Sequence, residues 1–347
     1  MQNLSRLLKP KSICVIGGGT WCRSVIEQCE KIGFRGDIWP VHLTAKHFAN
    51  RKAYKCIDDL PSPPDASFVG INRQATIKVV RKLSRRNSGG AVCFASGFLE
   101  SKVESKDGQK LQRKLIEAAN KMPLIGPNCY GFVNYLDGVA LWPDQHGGRR
   151  VDRGVALITQ SSNIAINLSM QQRGLPIAYL VTVGNQAQID LAEIGQTLLQ
   201  DNRVTALGLH IEGISNIKTF EQLADAARRA KKGIAVIKVG CSKQAQVATL
   251  THTASLAGSD AGARAVLKRL GMAQVKDLSQ LLETLKLLHM FGPLRDSRIA
   301  SMSCSGGEAS LMADTGYLGN VKFPELNKIQ RNGLRAVLGP MVALANP

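Results

Sequence analysis

The chain has 347 residues, of which 44% are hydrophobic and 5% aromatic, and it contains 33 glycines. Its length exceeds the usual size of one hydrophobic core, and its composition excludes a disordered or collagen-like protein, so we expect two or three globular domains. The formal net charge of +19 favours anionic partners. Basic clusters such as residues 81–86 lie on polar faces of predicted helices without interleaved aromatic residues. A solvated surface or a polyanionic cofactor therefore explains the charge better than nucleic acid does.

The N-terminal segment lacks the apolar region of a signal peptide, and the first apolar run is short and ends in glycines. We therefore expect a cytoplasmic protein without a membrane segment. Eight cysteines are scattered without a C-x-x-C pair, and several fall within apolar runs such as SICVIG. They are interpreted as small buried residues of a reducing compartment, and we predict no metal site.

The first part of the chain alternates between short apolar runs and helical spacing. Strands are predicted in SICVIGG (12–18), GDIWPVH (36–42), DASFVGI (65–71), GAVCFAS (90–96) and PLIG (123–126). Helices are predicted over residues 23–34, 73–86 and 102–121. This alternation is typical of a doubly wound α/β domain with a parallel sheet, which binds its ligand at the carboxyl ends of the strands.

Turn-forming and charged residues at 137–154 interrupt the alternation and predict a domain boundary. We place a Rossmann-like domain at residues 1–145 and a flavodoxin-like domain at 146–292. The second domain has predicted strands in VALITQ, IAYLVTVGN, TALGLHIEG and GIAVIKVG, and predicted helices over 163–173, 188–200, 217–231, 259–270 and 277–290. Residues 293–347 contain one predicted strand, a glycine turn and a helix, then a helix over 324–336, and are interpreted as the incomplete beginning of a further α/β domain.

The segment VIGGGTWCRS (15–24) follows the first strand and opens a helix, where backbone N–H groups can hold a diphosphate. The dinucleotide fingerprint is imperfect, because Cys22 stands where the third glycine belongs and His42 replaces the acid that would hold a ribose. NAD is therefore disfavoured. Coenzyme A fits better, and a tight glycine turn without a ligand is the alternative.

Two features of the second domain suggest phosphoryl chemistry. Gln160, Ser161 and Ser162 end a strand and open a helix, so they either cap that helix or present its N-terminus to a phosphoryl group. His252, in TLTHTASLAGSDA (249–261), lies among small residues that can wrap around an anion. Its imidazole can accept a phosphoryl group, and a polar loop histidine is the alternative. Glu212 ends a strand of the same sheet and can fix the tautomer of such a histidine, although alone it is only a strand-end acid.

The motifs THTASLAGSDA, HIEGI, GNQAQID (184–190), TQS and GPNCYGFVN (126–134) occur in the order found in the NDP-forming acyl-CoA synthetases, relatives of succinyl-CoA synthetase. The chain resembles this family over essentially its whole length. The resemblance implies that the first domain binds coenzyme A and that the second is a succinyl-CoA-ligase domain with a transiently phosphorylated histidine. It implies that His252 is this phosphohistidine, that Glu212 orients it, and that Gln160 and Ser161, with Ser162 in place of a family glycine, face the phosphate.

The resemblance also implies a set of coenzyme A contacts in the first domain: Gly17, Gly18, Ser24, Pro40, Phe94, Ser96, Gly97 and Asn128. The chain departs from the family pattern where His42 and Leu43 replace an asparagine–proline pair and where Asn72 replaces a proline. These departures concern the recognition of the coenzyme and of the acyl group more than the phosphohistidine.

The implied reaction converts a small carboxylate, ATP and coenzyme A into acyl-CoA, ADP and phosphate through phosphohistidine and an acyl phosphate. ATP or ADP with Mg would bind an ATP-grasp domain or subunit, for which these residues leave no room, and we expect a homo- or hetero-oligomer. The alternative function is a coenzyme A-binding regulatory module like those fused to protein acetyltransferases. The sequence does not identify the acid.

Overall fold

The structure is a computed structural model that describes residues 2–103, 107–214, 216–245 and 260–347. It contains two compact units, Met1–Gly292 and Pro293–Pro347, which are described separately. No helix in the described residues is long and apolar enough to cross a membrane.

The first unit opens with a parallel sheet. Its elements in chain order are α1 (Ser5–Leu8), β1 (Ser12–Ile16), α2 (Thr20–Lys31), β2 (Asp37–Val41), β3 (His47–Phe48), β4 (Arg51–Lys52), β5 (Ala66–Val69), α3 (Arg73–Arg85), β6 (Ala91–Cys93), α4 (Gly108–Ala119) and β7 (Leu124–Ile125). The strand order is β2-β1-β5-β6-β7, with every pair parallel, and β3 pairs with β4 as a separate hairpin. This is the doubly wound order that reverses direction between its first and third strands, here β1 and β5.

A second sheet follows in the same unit. Its elements are β8 (Phe132–Asn134), β9 (Val139–Leu141), β10 (Gly154–Thr159), α5 (Ser162–Ser169), β11 (Ile177–Thr182), α6 (Leu191–Leu199), β12 (Val204–Ile211), α7 (Ile217–Ala230), β13 (Gly233–Lys238), α8 (Asp260–Arg269), β14 (Ala273–Val275) and α9 (Leu278–Phe291). The strand order is β14-β13-β12-β10-β11-β8-β9. The five strands from β10 to β14 repeat the order of the first sheet, with the reversal between β10 and β12, which confirms the predicted pair of doubly wound α/β domains.

The apolar runs of the sequence form the interior of both sheets. Every residue of β1, β10 and β11 is buried, as expected for parallel strands that helices cover on both faces. Polar side chains fix where the helices begin: Asn72 caps α3, Asp190 and Glu193 form a capping box on α6, and Asp277 caps α9. The predicted helix over 102–121 begins only at Gly108, because Leu99–Val103 form a 3₁₀ turn.

The hairpin β8–β9 was not predicted as strands. It pairs antiparallel with β11, so residues 132–141 extend the second sheet. This hairpin precedes residue 145, where we predict the boundary, and therefore belongs to the first domain by sequence and to the second sheet by pairing. Its strands are too short, at three residues each, to stand out from the turn formers around them.

The second unit, Pro293–Pro347, contains α10 (Gly306–Leu318) and α11 (Lys328–Leu338). Ser305 caps α10 and Asn327 caps α11. The predicted strand before the glycine turn is represented by a single parallel bridge between Arg298 and Lys322.

A charged network ties the start of the chain to the second sheet. Arg203 donates to both carboxylate oxygens of Asp137 at 2.9 and 3.0 Å and to Asp201 at 2.9 Å, while Lys9 donates to Asp201 at 2.7 Å. Burial raises the pKa of Asp201, but the hydrogen bonds from Arg203 and Lys9 outweigh it and hold that pKa below its usual range. The carboxylates are therefore charged in the folded protein and depend on their cationic partners.

We predict that Arg203→Met lowers the free energy of unfolding by about 1–2 kcal/mol, a modest value because the Arg203 side chain is 38% exposed. Urea titration measures this change. Because the folded pKa of Asp201 lies below the unfolded one, the stabilisation is present above about pH 4 and declines as the pH falls further. Arg228→Met, which breaks an exposed pair with Asp225, is the control and should cost less. Equal decreases in the free energy of unfolding for the two variants would contradict a stabilising role of the network.

Candidate active site

The glycine turn after β1 has a conformation that requires glycine. Gly17 has a φ of +132°, and a Cβ there would lie 2.6 Å from the carbonyl oxygen of Gly70 and 2.8 Å from Sγ of Cys22. A Cβ on Gly18 would lie 2.2 Å from Nε2 of His42. Gly19, in contrast, has open space around it and an ordinary extended conformation. The first two glycines therefore let the turn pass close to β5 and to His42.

Cys22 shows why the fingerprint lacks its third glycine. Its Sγ lies 3.5 Å from the carbonyl oxygen of Ile16 and 3.6 Å from that of Gly70, so the thiol fills the space between α2 and the strands. Burial raises the pKa of Cys22 to about 11, which keeps the thiol protonated and unreactive. Cys22 is thus a packing residue, as the buried-cysteine interpretation predicts.

A cavity of about 480 Å³, here named the glycine cavity, lies at the carboxyl ends of β1, β2 and β5. Gly17, Gly18 and His42 line it on one side. Three lysines also line this cavity: Lys55, Lys78 and Lys82. The His42 ring is held in place, since its Nδ1 accepts from the backbone N–H of Ala45 at 3.0 Å and the ring stacks on Phe48. Apolar walls with a few cations match a nucleotide that carries phosphates.

A second cavity of about 600 Å³, here named the central cavity, lies where the carboxyl ends of the two sheets meet. It brings together six of the predicted site residues, from both sheets: Phe94, Ser96, Asn128, Gln160, Ser161 and Ser162. Ile71 and Asn72 line both cavities, so the two are neighbours along the segment that follows β5. The structure thus connects the glycine turn of the first sheet with the strand ends of the second.

Three predicted coenzyme contacts line neither cavity. Ser24 lies within α2, and Pro40 is buried in β2 opposite Val15. Gly97 adopts a φ of +90°, and its carbonyl oxygen accepts a hydrogen bond from Arg73 at 2.6 Å. The roles of these three residues stay predictions.

Gln160 and Glu212 meet at the point where the second sheet reverses its strand order. They follow the adjacent strands β10 and β12, and each is 6% exposed. Oε1 of Gln160 accepts a hydrogen bond from the backbone N–H of Glu212 at 2.5 Å. Gln160 therefore fixes the backbone that carries the Glu212 carboxylate, a contact that the sequence motif alone did not indicate.

Ser161 and Ser162 have different contacts. Oγ of Ser161 accepts from the backbone N–H of Ile164 and caps α5, which matches the capping alternative. Oγ of Ser162 accepts from the backbone N–H of Tyr130 at 3.3 Å and links the two sheets. The capping bond of Ser161 uses its oxygen as an acceptor and leaves the hydroxyl hydrogen available to a ligand.

His252, the predicted phosphoryl acceptor, lies outside the described residues. Its segment joins the strand β13 to the helix α8, and the end of β13 is described. Lys238, the last residue of β13, pairs in register with Ile211 of β12 and is 5% exposed. Its Nζ donates a long hydrogen bond, 3.5 Å, to the carbonyl oxygen of Gly240.

Lys238 was not predicted as a site residue. A lysine is almost never fully buried without a partner, so the single charge in the apolar run GIAVIKVG was the available signal. The structure places this cation at the same sheet edge as Gln160 and Glu212.

Glu100 is a second residue that sequence reasoning missed. Its carboxylate accepts from the backbone N–H of Gly97 at 2.6 Å and from the side-chain amide of Asn185, which also donates to Gln112. These bonds connect the segment FASGF (94–98), which contains Gly97, to the GNQAQID motif, to which the sequence analysis assigned no contact. They brace the central cavity from the side of the first sheet. Within the described ranges, no cluster of His, Cys, Asp and Glu could hold a metal ion.

The comparisons with known proteins agree with this geometry. Residues 11–135 match the model of the CoA binding domain, and residues 152–288 match that of the succinyl-CoA ligase like flavodoxin domain. The chain therefore contains a CoA binding domain followed by a succinyl-CoA ligase like flavodoxin domain, the pair of domains that its resemblance to the NDP-forming acyl-CoA synthetase family implies. These two matches assign the glycine cavity to the coenzyme domain of the family and the Gln160–Glu212 edge to its ligase domain.

The chain is 28% identical to a trans-feruloyl-CoA synthase of an unknown prokaryotic organism, covering 100% of this chain and 50% of the relative. It is 26% identical to the alpha subunit of an ADP-forming acetate–CoA ligase II of Pyrococcus furiosus, covering 99% and 75%. The chain thus spans about half the length of several curated relatives that it matches. Acetyl-coenzyme A synthetase 1 of Ca. Korarchaeum cryptofilum, solved with phosphate and ADP, has the same fold, with a TM-score of 0.87 at 24% identity over 100% of this chain and 75% of that one.

His210 is buried beside the site, and its contacts are those of a structural residue. Its Nδ1 shares a 3.1 Å hydrogen bond with Oγ1 of Thr159. Burial lowers the pKa of His210 to about 4, so the ring is neutral at pH 7. His146 is buried as well, against Tyr135, and burial lowers its pKa to about 4 too.

We predict that the stability of the protein falls as the pH drops from 7.5 to 5, by about 2 kcal/mol for each buried histidine. The reason is that the unfolded imidazole takes up a proton near pH 6.5 whereas the folded one resists until about pH 4. Urea midpoints measured at the two pH values for wild type, His210→Asn and the double variant with His146→Asn test this. Each substitution should remove about one histidine's share of the pH dependence. An unchanged pH dependence in the double variant would contradict the assignment.

Proposed function

We propose that this chain is the coenzyme A-binding and phosphohistidine part of an ADP-forming acyl-CoA synthetase, acting in the cytoplasm on a carboxylate, ATP and coenzyme A. The observation that carries the proposal is the adjacency of the two cavities. Coenzyme A is a long molecule with phosphates at one end and a thiol at the other. The glycine cavity supplies backbone N–H groups and lysines for the phosphate end, and the central cavity leads from Asn72 to the Gln160–Glu212 edge for the thiol end.

The residues of the glycine cavity fit the coenzyme on three counts. Gly17 and Gly18 admit no side chain, so a ligand can approach the turn at the N-terminus of α2. Lys55, Lys78 and Lys82 provide charge for phosphates. His42 stands where an NAD site would carry an acid, which removes the usual contact to a nicotinamide nucleotide ribose.

In the proposed reaction, His252 carries the phosphoryl group between the nucleotide and the carboxylate substrate. Glu212 orients the imidazole, and Gln160 holds Glu212 through its backbone. One carboxylate oxygen of the substrate attacks phosphorus, the bond from phosphorus to the imidazole nitrogen breaks, and an acyl phosphate forms. The coenzyme thiol then adds to the carbonyl carbon, loses its proton and expels phosphate. The N-terminus of α5, at Ser162, faces the central cavity and stabilises the phosphate that leaves.

The nucleotide-binding part is proposed to lie outside this chain, in an ATP-grasp domain or a separate subunit. The chain covers about half of relatives such as the trans-feruloyl-CoA synthase and three quarters of the Pyrococcus alpha subunit, so room remains in those proteins for such a part. Those relatives are named as a synthase and a ligase, which favours catalysis over a regulatory module.

We predict that Gly17→Ala weakens coenzyme A binding at least about tenfold, because the new Cβ collides with backbone of Gly70 at a φ that disfavours side chains. Isothermal titration calorimetry of the whole chain measures the effect. Gly19→Ala is the matched control in the same turn, since nothing lies within 4 Å of its added Cβ, and it should bind within about twofold of wild type. Indistinguishable dissociation constants for the two folded variants would place the coenzyme elsewhere.

We predict that the chain becomes phosphorylated when it is incubated with inorganic phosphate and the acyl-CoA of its substrate, because this reverse half-reaction needs no ATP. Acid-labile phosphate, measured by intact mass before and after mild acid, should appear in wild type and vanish in His252→Ala. Glu212→Gln should slow its formation at least about tenfold, because the imidazole loses its carboxylate partner.

His47→Ala, which removes an exposed histidine of β3, is the control and should label like wild type. Phosphate that persists in His252→Ala would overturn the assignment of the acceptor.

A further inference from the structure

Three aromatic side chains from separate segments contact one another, and two of them line the central cavity. Trp21 lies at the start of α2, Phe94 follows β6, and Tyr130 follows β7. Their ring centroids are 5.5 Å apart for Trp21–Phe94, 5.9 Å for Trp21–Tyr130 and 5.8 Å for Phe94–Tyr130, with tilted planes. Phe94 and Tyr130 line the cavity. We name these three side chains the aromatic wall.

Two rings of the wall are held from behind by fully buried rings. Phe94 packs on Phe68 at 5.7 Å, and Tyr130 meets the edge of Trp142 at 5.4 Å. Burial together with Asp144 raises the pKa of Tyr130, so the hydroxyl stays protonated and is bonded to Asp144. These contacts fix both rings before any ligand arrives, and a preorganised apolar surface binds without the entropic cost of ordering its side chains.

Trp21 contributes an exposed apolar surface. It is 44% exposed, whereas the other two tryptophans, Trp39 and Trp142, are 9% and 0% exposed. A large aromatic side chain beside a cavity gains about 25 cal/mol for each Å² of apolar area that a ligand covers. The exposed indole therefore favours a ligand with an apolar body of its own.

The central cavity also has polar lining residues. Gln160, Ser161 and Asn128 are among them, next to the edge at which phosphoryl transfer is proposed. The cavity thus combines aromatic rings with hydrogen-bonding side chains, which suits a molecule with a flat apolar body and a carboxylate. A two-carbon acid would satisfy the polar side chains and leave the aromatic wall in contact with water. An arene can pack against Phe94 and Tyr130, which line the cavity, and against the exposed indole that contacts both of them.

We propose that the carboxylate substrate is an aromatic acid, whose ring lies on Trp21, Phe94 and Tyr130 while its carboxylate faces Gln160 and Ser161. This inference rests on the proposed function and names the substrate class of the same site. The aromatic wall selects the acid by its ring, and the carboxylate undergoes the phosphoryl transfer described above.

The test uses the whole chain with inorganic phosphate and a panel of acyl-CoA compounds: benzoyl-CoA, cinnamoyl-CoA, acetyl-CoA and butyryl-CoA. Acid-labile phosphate should form at least about tenfold faster from the aromatic members than from acetyl-CoA, which corresponds to 1.4 kcal/mol. Trp21→Leu and Tyr130→Leu, which keep apolar volume without the ring, should each lower this ratio at least threefold, and Trp21→Phe should largely restore it. Phe291→Leu, at an exposed aromatic residue at the end of α9, is the control.

A second readout does not need turnover. Because Trp21 is the exposed tryptophan, benzoate or cinnamate should quench tryptophan emission in wild type and not in Trp21→Leu. Acetate should quench neither. Coenzyme A binding, measured separately by calorimetry, should be the same in wild type and Tyr130→Leu if the wall binds the acid, and weaker in the variant if it binds the pantetheine arm instead.

The outcomes separate the two proposals. Equal phosphate formation from acetyl-CoA and benzoyl-CoA, unchanged by the leucine variants, would overturn the aromatic assignment and leave the proposed function standing. If no acyl-CoA gives phosphate, the proposed function fails, and the quenching then decides the inference: Trp21-dependent quenching by aromatic acids supports an aromatic-acid site, and its absence overturns it.

Discussion

The site depends on the alignment of two parallel sheets whose carboxyl ends meet at one cavity. Parallel strands gather their following loops at one edge, and a reversal of strand order opens a crevice there. Both sheets have this reversal, between β1 and β5 in the first and between β10 and β12 in the second. The segment that connects β7 of the first sheet to β8 of the second is held by hydrogen bonds to the second sheet: Thr182 both accepts from and donates to the backbone of Gly131, and Ser162 accepts from the backbone N–H of Tyr130. Without this alignment, the glycine turn and Glu212 would belong to separate crevices.

The electrostatics of the site follow from where charge is buried. Burial keeps Cys22 protonated and His210 neutral, so these groups close to the site add no charge of their own. The cations stand elsewhere: three lysines line the glycine cavity, and Lys238 lies at the edge of the second sheet. A positive environment with neutral packing residues is suited to ligands with several phosphates and to a phosphoryl group in transfer. These four lysines account for part of the net charge of +19 and lie where phosphates are proposed to bind.

Much of the fold follows from sequence because parallel strands buried on both faces form continuous apolar runs, as SICVI and GVALIT do. The β8–β9 hairpin does not follow from the sequence, since its three-residue strands are recognisable as strands only through the pairing with β11. The site divides in the same way. Gly17 and Gln160 are recognisable beside a strand end, whereas the bond from Gln160 to Glu212 and the bracing of Glu100 by Asn185 join residues 52 and 85 positions apart. Such contacts depend on strand order, which local patterns do not encode.

In the proposed function, the part of the site that performs chemistry is separate from the part that selects the acid. Gln160 and Glu212 follow central strands and are almost fully buried, so their positions are set by the sheet itself. The aromatic wall comes from three segments that follow β1, β6 and β7, and Trp21 is its most exposed member. Substitution of an exposed wall residue changes the surface offered to the acid without disturbing the buried hydrogen bond between Gln160 and Glu212. A family can therefore retain one phosphoryl-transfer edge and change its carboxylic acid by altering a few side chains on the facing sheet.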